Sequence, residues 1–189
     1  MKHLLLFLLL TSLSQFSSAK KAYYSLEMLI NYADLIVVGE LSNSGVKTYN
    51  FTISSTIKGE EHESIRVQKF KEWTCDTRSR KFESGQKIIL FLEKKLGKYE
   101  IINGSSGEVF IDDNIVQVRG FHQKPTVNEF SGMISDFLAC FSPNNEPSTI
   151  WNTRTYTQLL SDDEITERRN KSMFTDKLFA TLEEEQITK

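Results

Sequence analysis

The sequence predicts a mainly β domain that starts with a short helix and ends with helices packed against its strands. From Leu35 to Val118, segments with the alternating or continuous apolar pattern of strands dominate the chain. After Pro125 the apolar spacing changes from two residues to three or four, which is the period of a helix. Together these patterns predict about five or six short strands, with helices packed against them.

The first 19 residues have the pattern of a secretory signal peptide. A basic start leads into the apolar run from Leu4 to Leu10, and Ser17 and Ala19 stand three and one positions before the expected cut. This run is far shorter than the roughly 20 residues of a membrane-spanning helix. We therefore expect a secreted chain, extracellular or periplasmic, that starts near Lys20 and has no integral membrane span. The alternative is an uncleaved anchor.

The charge balance bears on the class of partner. Without residues 1–19, the remaining 170 residues carry 22 basic and 25 acidic side chains. A domain that binds nucleic acid normally gathers a basic surplus on one face, and no run of this sequence provides one. We therefore expect no nucleic acid partner, and favour another extracellular or periplasmic protein. The length fits one domain, residues 20–142, with a linker and helical extension over residues 143–189.

A short helix and a buried strand are the first predicted elements. Behind Ser25, which suits an N-cap, four apolar side chains recur at helical spacing: Leu26, Leu29, Ile30 and Ala33. The next stretch, Leu35 to Leu41, is apolar on both faces at its centre. Such a strand fills a core with one face and is covered on the other, for which the preceding helix is available.

Two alternating strands then form a meander with the first. Asn43-Ser44-Gly45 has residues suited to a turn, and Gly59 ends the strand that follows. The inward-facing side chains of the second and third strands are Tyr49, Phe51, Ile53, Ile65 and Val67.

The second half of the β region begins with the strand "KIILFLEKK" and continues through hairpins. Gly97-Lys98 marks one turn and Asp112-Asp113-Asn114 another. The three polar residues lack the alternating acids and distal Glu of a calcium loop, so a plain turn is favoured. Residues 103–107, "NGSSG", join two strands and lead into no helix, so we expect a hairpin connection and not a phosphate loop.

The helical part carries two capping boxes. Thr126 stands three residues before Glu129, and Ser161 three before Glu164. The helix predicted to begin after Thr126 carries an apolar stripe that must dock on the sheet: Val127, Phe130, Ile134, Phe137, Leu138 and Phe141. Pro143 and Pro147 mark a linker after it. A thin stripe in the tail either packs within the chain or waits for a partner: Leu178, Phe179 and Leu182.

The order of these elements resembles the netrin-like domain, in particular the N-terminal domain of tissue inhibitors of metalloproteinases. The resemblance covers roughly Tyr24 to Val118 and rests on the order of several short motifs. In the family's pattern, a pair like Ala33-Asp34 opens the first strand and a pair like Lys58-Gly59 closes the second. Further residues in comparable places are Cys75, Gly85, Lys87, Leu90, Gly97, Lys98 and Ile101. The resemblance implies a five-stranded OB-fold barrel with helices packed against it.

This chain departs from that family at the residues that carry its activity. The inhibitors chelate the protease zinc with a Cys at the mature N-terminus, where this chain would have Lys20. The family has further cysteines in the first helix and after the last hairpin. At these positions this chain has Leu29 or Ile30, and Ile102 or Asn103. The resemblance therefore implies the scaffold and does not imply zinc chelation.

The two cysteines of the mature chain allow one disulfide. A bridge between Cys75 and Cys140 would close a loop of roughly 65 residues and stabilise the fold by about 4 kcal/mol in the loop-entropy model. The alternative is two separate buried thiols, because a lone Cys packs as a small apolar side chain.

No catalytic, metal or cofactor site is predicted. His62 and His122 are sixty residues apart and are not spaced with a Cys or another His as a metal clamp. A thiol hydrolase that uses Cys75 is an alternative, although its base cannot be identified from the sequence. Glycan acceptor tripeptides begin at Asn50, Asn103 and Asn170.

The polar stretch after the third strand holds the candidate binding surface: Phe70, Trp73, Arg78, Arg80 and Phe82. OB barrels bind ligands across their loops with aromatic and Arg side chains. Of the two alternatives for Trp73, the one we favour is that it plugs the barrel end beside Cys75. We expect an exported, non-enzymatic binding module, with a protease inhibitor that inserts a loop as the alternative.

Overall fold

Five strands close into a barrel in the computed structural model, which describes residues 21–61, 63–143, 156–182 and 187–188. In these ranges the strands are β1 (Leu35–Ser44), β2 (Thr48–Lys58), β3 (Ser64–Gln68), β4 (Lys87–Lys95), β5 (Lys98–Ile101), β6 (Glu108–Asp112), β7 (Ile115–Val116), β8 (Phe141–Pro143), β9 (Tyr156–Gln158) and β10 (Ile187–Thr188). The helices are α1 (Leu26–Tyr32), α2 (Val127–Cys140), α3 (Asp162–Lys171) and α4 (Met173–Phe179), with a 3₁₀ turn at Gly104–Ser106.

The barrel runs in the strand order β1, β2, β3, β5, β4 and back to β1. β1 is antiparallel to β2 along one edge and to β4 along the other. The ring is completed where β3 and β5 run parallel, with Val67 opposite Tyr99 and Gln68 opposite Glu100. The predicted OB-fold barrel with a short N-terminal helix and C-terminal helices is confirmed.

The register of β1 with β2 is interrupted at three places. One of them adjoins Gly39, where a Cβ atom would stand 2.1 Å from the carbonyl oxygen of Thr52. Only glycine fits so close an approach of two backbones. Irregularities of this kind bend a strand and curve its sheet, as closure of a barrel requires.

The side chains of β1 divide between two apolar cores, as its sequence predicts. Leu35, Val37 and Leu41 are buried inside the barrel with the inward residues of the other four barrel strands. Ile36 and Val38 face outward and are covered by α1, α2 and the C-terminal helix α4. The apolar side chains that meet there are called the outer core below. The helices therefore seal one outer face of the barrel.

The tight turns follow the sequence in one place and are shifted in two. Asp113 and Asn114 have positive φ, as a two-residue hairpin between twisted strands requires. Leu96 and Gly97 also have positive φ, and Lys98 begins β5, so this turn lies one residue earlier than predicted. At the first turn β1 continues through Ser44, and Gly45 donates its N–H to the Thr48 carbonyl oxygen at 2.8 Å. That turn therefore lies two residues later than predicted.

The prediction of a hairpin at residues 103–107 is wrong. β5 and β6 are both antiparallel to β4 and lie along the same edge of it, Ile101 opposite Leu92 and Phe110 opposite Ile88. Two strands antiparallel to the same neighbour run in the same direction, so the chain does not reverse between them. The 3₁₀ turn Gly104–Ser106 interrupts one long edge without folding it back.

Both predicted capping boxes are present. Thr126 accepts the Glu129 N–H at the start of α2, and Ser161 accepts that of Glu164 at the start of α3. On α2 the side chains of Phe130, Ile134 and Phe137 are buried in the outer core, as the apolar stripe predicts.

The C-terminal extension packs against the outer core. β8 pairs with β9, and β9 pairs with β10. Phe179 lies 5.1 Å from the ring of Phe141 and 6.2 Å from that of Phe137, measured between centroids. Of the two alternatives for the tail stripe, packing within the chain is therefore correct.

The predicted bridge between the two cysteines is wrong for this structure, where both thiols are free. Cys140 is buried at the end of α2, within the outer core. Cys75 is half-buried in the loop between β3 and β4. Of the alternative, two separate buried thiols, the separation is therefore correct, and the burial is correct for Cys140 alone.

Several predictions concern residues outside the described ranges. The signal peptide over residues 1–19, His62 and Pro147 belong to them. Among the helices that the structure describes, none has the length and apolar character needed to cross a bilayer.

We predict that Phe179→Ala lowers the free energy of unfolding by about 3–5 kcal/mol, because it leaves a cavity among buried rings. Urea unfolding of the full chain measures this, and a single transition is expected since the tail shares the outer core. Met173→Ala is the matched control, as Met173 is 56% exposed on the same helix, and should change the value by less than about 0.5 kcal/mol. A separate early transition for the tail would contradict the shared core.

Candidate binding cleft beside the N-terminal segment

Residues 69–86, the loop between β3 and β4, hold the five side chains of the predicted binding surface. A turn in this loop is held by two backbone hydrogen bonds: the Trp73 N–H donates to the Asp76 carbonyl at 3.1 Å, and the Asp76 N–H donates back at 2.8 Å. The Trp73 side chain is 44% exposed. It does not plug the barrel end, so that alternative is wrong.

Arg78 is buried and serves the fold. Its Nε donates to Glu108 Oε2 at 2.7 Å, and both side chains are almost inaccessible to solvent. The remaining guanidinium nitrogens donate to the carbonyls of Arg80 and Lys81 and to Gln86 Oε1. Four of the five N–H donors of this guanidinium are therefore used within the fold. The binding role of Arg78 stays a prediction, although most of its donors serve the fold.

The ring of Phe82 closes the barrel end beside this ion pair. The Arg78 guanidinium carbon lies 3.9 Å from the centroid of the Phe82 ring, and Lys69 Nζ lies 4.0 Å from it. Tyr49 packs on Phe82 and donates its hydroxyl to Glu108 Oε1 at 3.3 Å. Burial, and then the adjacent Glu108 carboxylate, raise the pKa of Tyr49 well above its ordinary value. Tyr49 therefore stays protonated as a donor to Glu108.

Arg80 and Phe70 also have internal partners. Arg80 forms two hydrogen bonds to the carboxylate of Asp112, at 2.6 and 2.7 Å. This pair lies on the surface and holds the pKa of Asp112 below its usual value. Phe70 is half-buried against Gly104. Of the five predicted residues, Trp73 thus offers the most accessible aromatic surface.

An ion pair between Lys21 and Asp76 fastens the N-terminal segment to the loop. Lys21 Nζ lies 2.7 Å from Asp76 Oδ1 and also donates to the Asn103 carbonyl at 2.7 Å. The Ser105 N–H donates to the same Asp76 oxygen at 3.2 Å. Gly104 has a φ of +53°, and a Cβ there would lie 2.0 Å from Asp76 Oδ2, so no other residue fits.

Beside this anchor lies a cleft of about 450 Å³, here called the N-terminal cleft. Four parts of the chain enclose it: residues 23–29, residues 105–110, residues 117–121, and the end of α4 with Lys177, Leu178 and Thr181. Thr77 and Ser79 of the loop complete its rim. The sequence predicts a binding surface on this loop, but none of its five predicted side chains lines the cleft, so that surface stays a prediction.

The rim of the cleft combines aromatic rings with cations. Tyr23 is 50% exposed, with Arg119 Cζ 4.4 Å and Lys21 Nζ 4.9 Å from the centroid of its ring. Lys177 Nζ lies 4.7 Å from the ring of Phe121. Within the described residues, neither Arg119 nor Lys177 has a carboxylate partner within 4.0 Å. The rim is therefore suited to an anionic or aromatic group.

Sequence reasoning missed this cleft because its parts are far apart in the chain. Tyr23 and Lys177 are separated by more than 150 positions and meet only when α4 packs on the outer core. The Lys-Ala-Tyr-Tyr sequence from Lys21 was the one local signal, since cations and tyrosines together are typical of binding surfaces.

A second grouping was also missed. Lys47, Arg66 and Lys98 come from three separate segments and line one concavity where β3 approaches β5. Its three basic residues are far apart in the sequence, so no basic run predicts it. The expectation that nucleic acid is not a partner stays a prediction.

The described residues give no support to metal or thiol chemistry. They contain no group of three or more His, Cys, Asp or Glu side chains placed to hold a metal ion. In the same ranges, the Tyr23 hydroxyl donates a hydrogen bond to the backbone carbonyl oxygen of Cys75 at 3.5 Å, and not to its thiol. The absence of an enzymatic activity stays a prediction.

No protein-family model, curated protein or solved structure matches this chain. The site is therefore argued from its own geometry and charges.

We predict that Arg78→Met lowers the free energy of unfolding by about 3–5 kcal/mol, because it leaves the Glu108 carboxylate buried without its cation. Arg80→Met is the matched control: its ion pair lies on the surface, so about 1 kcal/mol or less is expected. Chemical denaturation of both variants measures the difference. Equal, small losses would show that the Arg78 pair is not buried.

The Lys21–Asp76 anchor should weaken in acid. Burial raises the pKa of Asp76, but the hydrogen bond from Lys21 and those from Ser105 outweigh it and hold the pKa below the ordinary value of 3.8. The unfolded chain therefore takes up this proton first as the pH falls, so stability is lost on acidification below about pH 4.

Asp76→Asn tests this anchor. The difference in the free energy of unfolding between wild type and this variant should be largest at neutral pH and shrink below about pH 4. Asp113→Asn, in an exposed hairpin turn, is the control and should differ little from wild type at any pH. A difference for Asp76→Asn that does not change with pH would refute the role of its charge.

Proposed function

We propose that the chain is an exported, non-enzymatic OB-fold binding module, and that its partner binds at the N-terminal cleft and at Trp73 beside it. The observation that carries this proposal is the rim, where the exposed ring of Tyr23 lies beside Arg119 and the half-buried ring of Phe121 lies beside Lys177. Among the described residues, no carboxylate lies within 4.0 Å of either cation. Tyr, Trp and Arg are the residues that dominate binding energy in protein interfaces.

The rigidity of the surface supports the proposal. Trp73 stands on a turn closed by two backbone hydrogen bonds, and Tyr23 follows the Lys21–Asp76 anchor by two residues. Side chains already held in place lose less conformational entropy when a partner binds. The surface is thus arranged for binding before the partner arrives.

We also propose kinship with the netrin-like domain. The barrel strand order supports it, as does the position of the matched residues: Lys58 ends β2, Lys87 begins β4, and Gly97-Lys98 joins β4 to β5. The kinship concerns the scaffold, because the family's N-terminal Cys is replaced. Lys21 is instead engaged by Asp76.

A protease inhibitor that inserts a loop is the second candidate function. The hydrogen-bonded turn from Trp73 to Asp76 favours it, because inhibitory loops bind well when they are already rigid. A thiol hydrolase that uses Cys75 is a weaker alternative and requires that this half-buried thiol react with a substrate analogue.

Site-specific photo-crosslinking tests the proposed surface. A benzophenone side chain placed at Trp73 or at Tyr23 in the secreted protein should yield one discrete adduct, the same from both positions. Leu96 is the control position, since it is fully exposed at the hairpin between β4 and β5 and lies outside the cleft. Mass spectrometry of the adduct identifies the partner, and a protease there favours the second candidate.

The outcomes separate the alternatives. Equal labelling from all three positions, or no adduct from positions 23 and 73, would overturn the proposed surface. N-terminal sequencing of the same secreted sample should read Lys20 first, and a chain that retains Met1 and stays with the cells would overturn export.

A further inference from the structure

We infer that the N-terminal cleft binds a single-chain amphiphile: one anionic head group, carboxylate or phosphate, on an apolar body. This inference rests on the proposed function in that it takes the cleft as a binding site. It adds the chemical class of a ligand, which can be tested without knowing any protein partner.

The walls of the cleft provide the apolar half of the recognition. Leu29, Val109, Val118 and Leu178 line it, and each is at most 6% exposed. The cleft volume of about 450 Å³ falls in the lower part of the range for small-molecule sites. The more accessible apolar lining comes from Tyr23, Tyr24, Leu26 and Phe121. An apolar chain would contact these side chains in place of water, which is favourable in proportion to the area covered.

Two cations provide the polar half. Arg119 and Lys177 both line the cleft. Lys177 lies over the ring of Phe121, which is two positions after Arg119 in the chain. A carboxylate or phosphate accepts paired hydrogen bonds from a guanidinium and a further one from an ammonium group. Since the described residues give these cations no carboxylate, the head group would supply the missing charge.

The acidic side chains of the lining fix the orientation of the ligand. Glu108 is neutralised by Arg78 and also accepts from Tyr49. Glu27 is 9% exposed, and its Oε2 lies 3.3 Å from Thr181 Oγ1, whose hydroxyl donates to the Leu178 carbonyl oxygen at 2.6 Å. A second anion beside Glu27 would be repelled in this poorly solvated position. The head group therefore belongs at Arg119 and Lys177, with the apolar body along the walls.

Calorimetric titration with three probes tests the ligand class: decanoate, decyl phosphate and the uncharged decanol. We expect both anions to bind wild type with one-to-one stoichiometry, and decanol to bind at least about tenfold more weakly, since it lacks the charge-assisted contacts. Equal binding of decanol and decanoate would overturn the role of the head group.

Paired charge variants locate the site. Arg119→Gln with Lys177→Gln should weaken decanoate binding about tenfold or more and leave decanol binding unchanged. The matched control is Lys94→Gln with Lys95→Gln, which removes the same charge from exposed positions on β4 outside the cleft. Circular dichroism confirms that both double variants are folded. Equal affinities for decanoate in the two double variants would overturn the site.

A last arm separates a free amphiphile from a lipid surface. Vesicles of phosphatidylglycerol present the same phosphate chemistry in a membrane, and we expect them to bind no more strongly to wild type than to the Arg119/Lys177 variant. Vesicle binding without decanoate binding would overturn the inference. If no probe binds while crosslinks still form at positions 23 and 73, the inference fails and the proposed function stands.

Discussion

The short parallel pairing of β3 with β5 is the constraint on which the rest of the structure depends. Only two residue pairs make it, Val67 with Tyr99 and Gln68 with Glu100, yet they turn a bent antiparallel sheet into a closed ring. Closure gives the barrel an inside, so the inward residues of five strands form one core. It also fixes the loop between β3 and β4 across one barrel end, beside the 3₁₀ turn.

Two ion pairs then hold the site against that end. Arg78 and Glu108 join the loop to β6 from within, and Lys21 and Asp76 join the N-terminal segment to the same loop. Because both pairs are shielded from solvent, breaking either would leave a poorly hydrated charge. The outer core completes the arrangement by bringing α4 to the opposite side of the cleft. Loop, segment and helix are thus positioned independently of any ligand.

The sequence predicts the secondary-structure elements of this fold better than the contacts between them. Local patterns are sufficient for the capping boxes at Thr126 and Ser161, for the inward residues of β2 and for the hairpin at Asp113, because each depends on neighbours within a few positions. Residues 103–107 have turn chemistry, but the direction of the chain there is set by pairing with β4. The burial of Arg78 depends on Glu108, thirty positions away, and the rim depends on Arg119 and Lys177, so no local pattern could reveal either.

The most direct test of this account is nuclear magnetic resonance of the isotope-labelled protein at the closing pair. Backbone contacts between Val67 and Tyr99, together with slow hydrogen exchange of the amides in β3 and β5, are the predicted result. If these contacts are missing and the same amides exchange as fast as those of the loops, the sheet is open. The barrel, the proposed kinship and the position of the cleft would then all be contradicted.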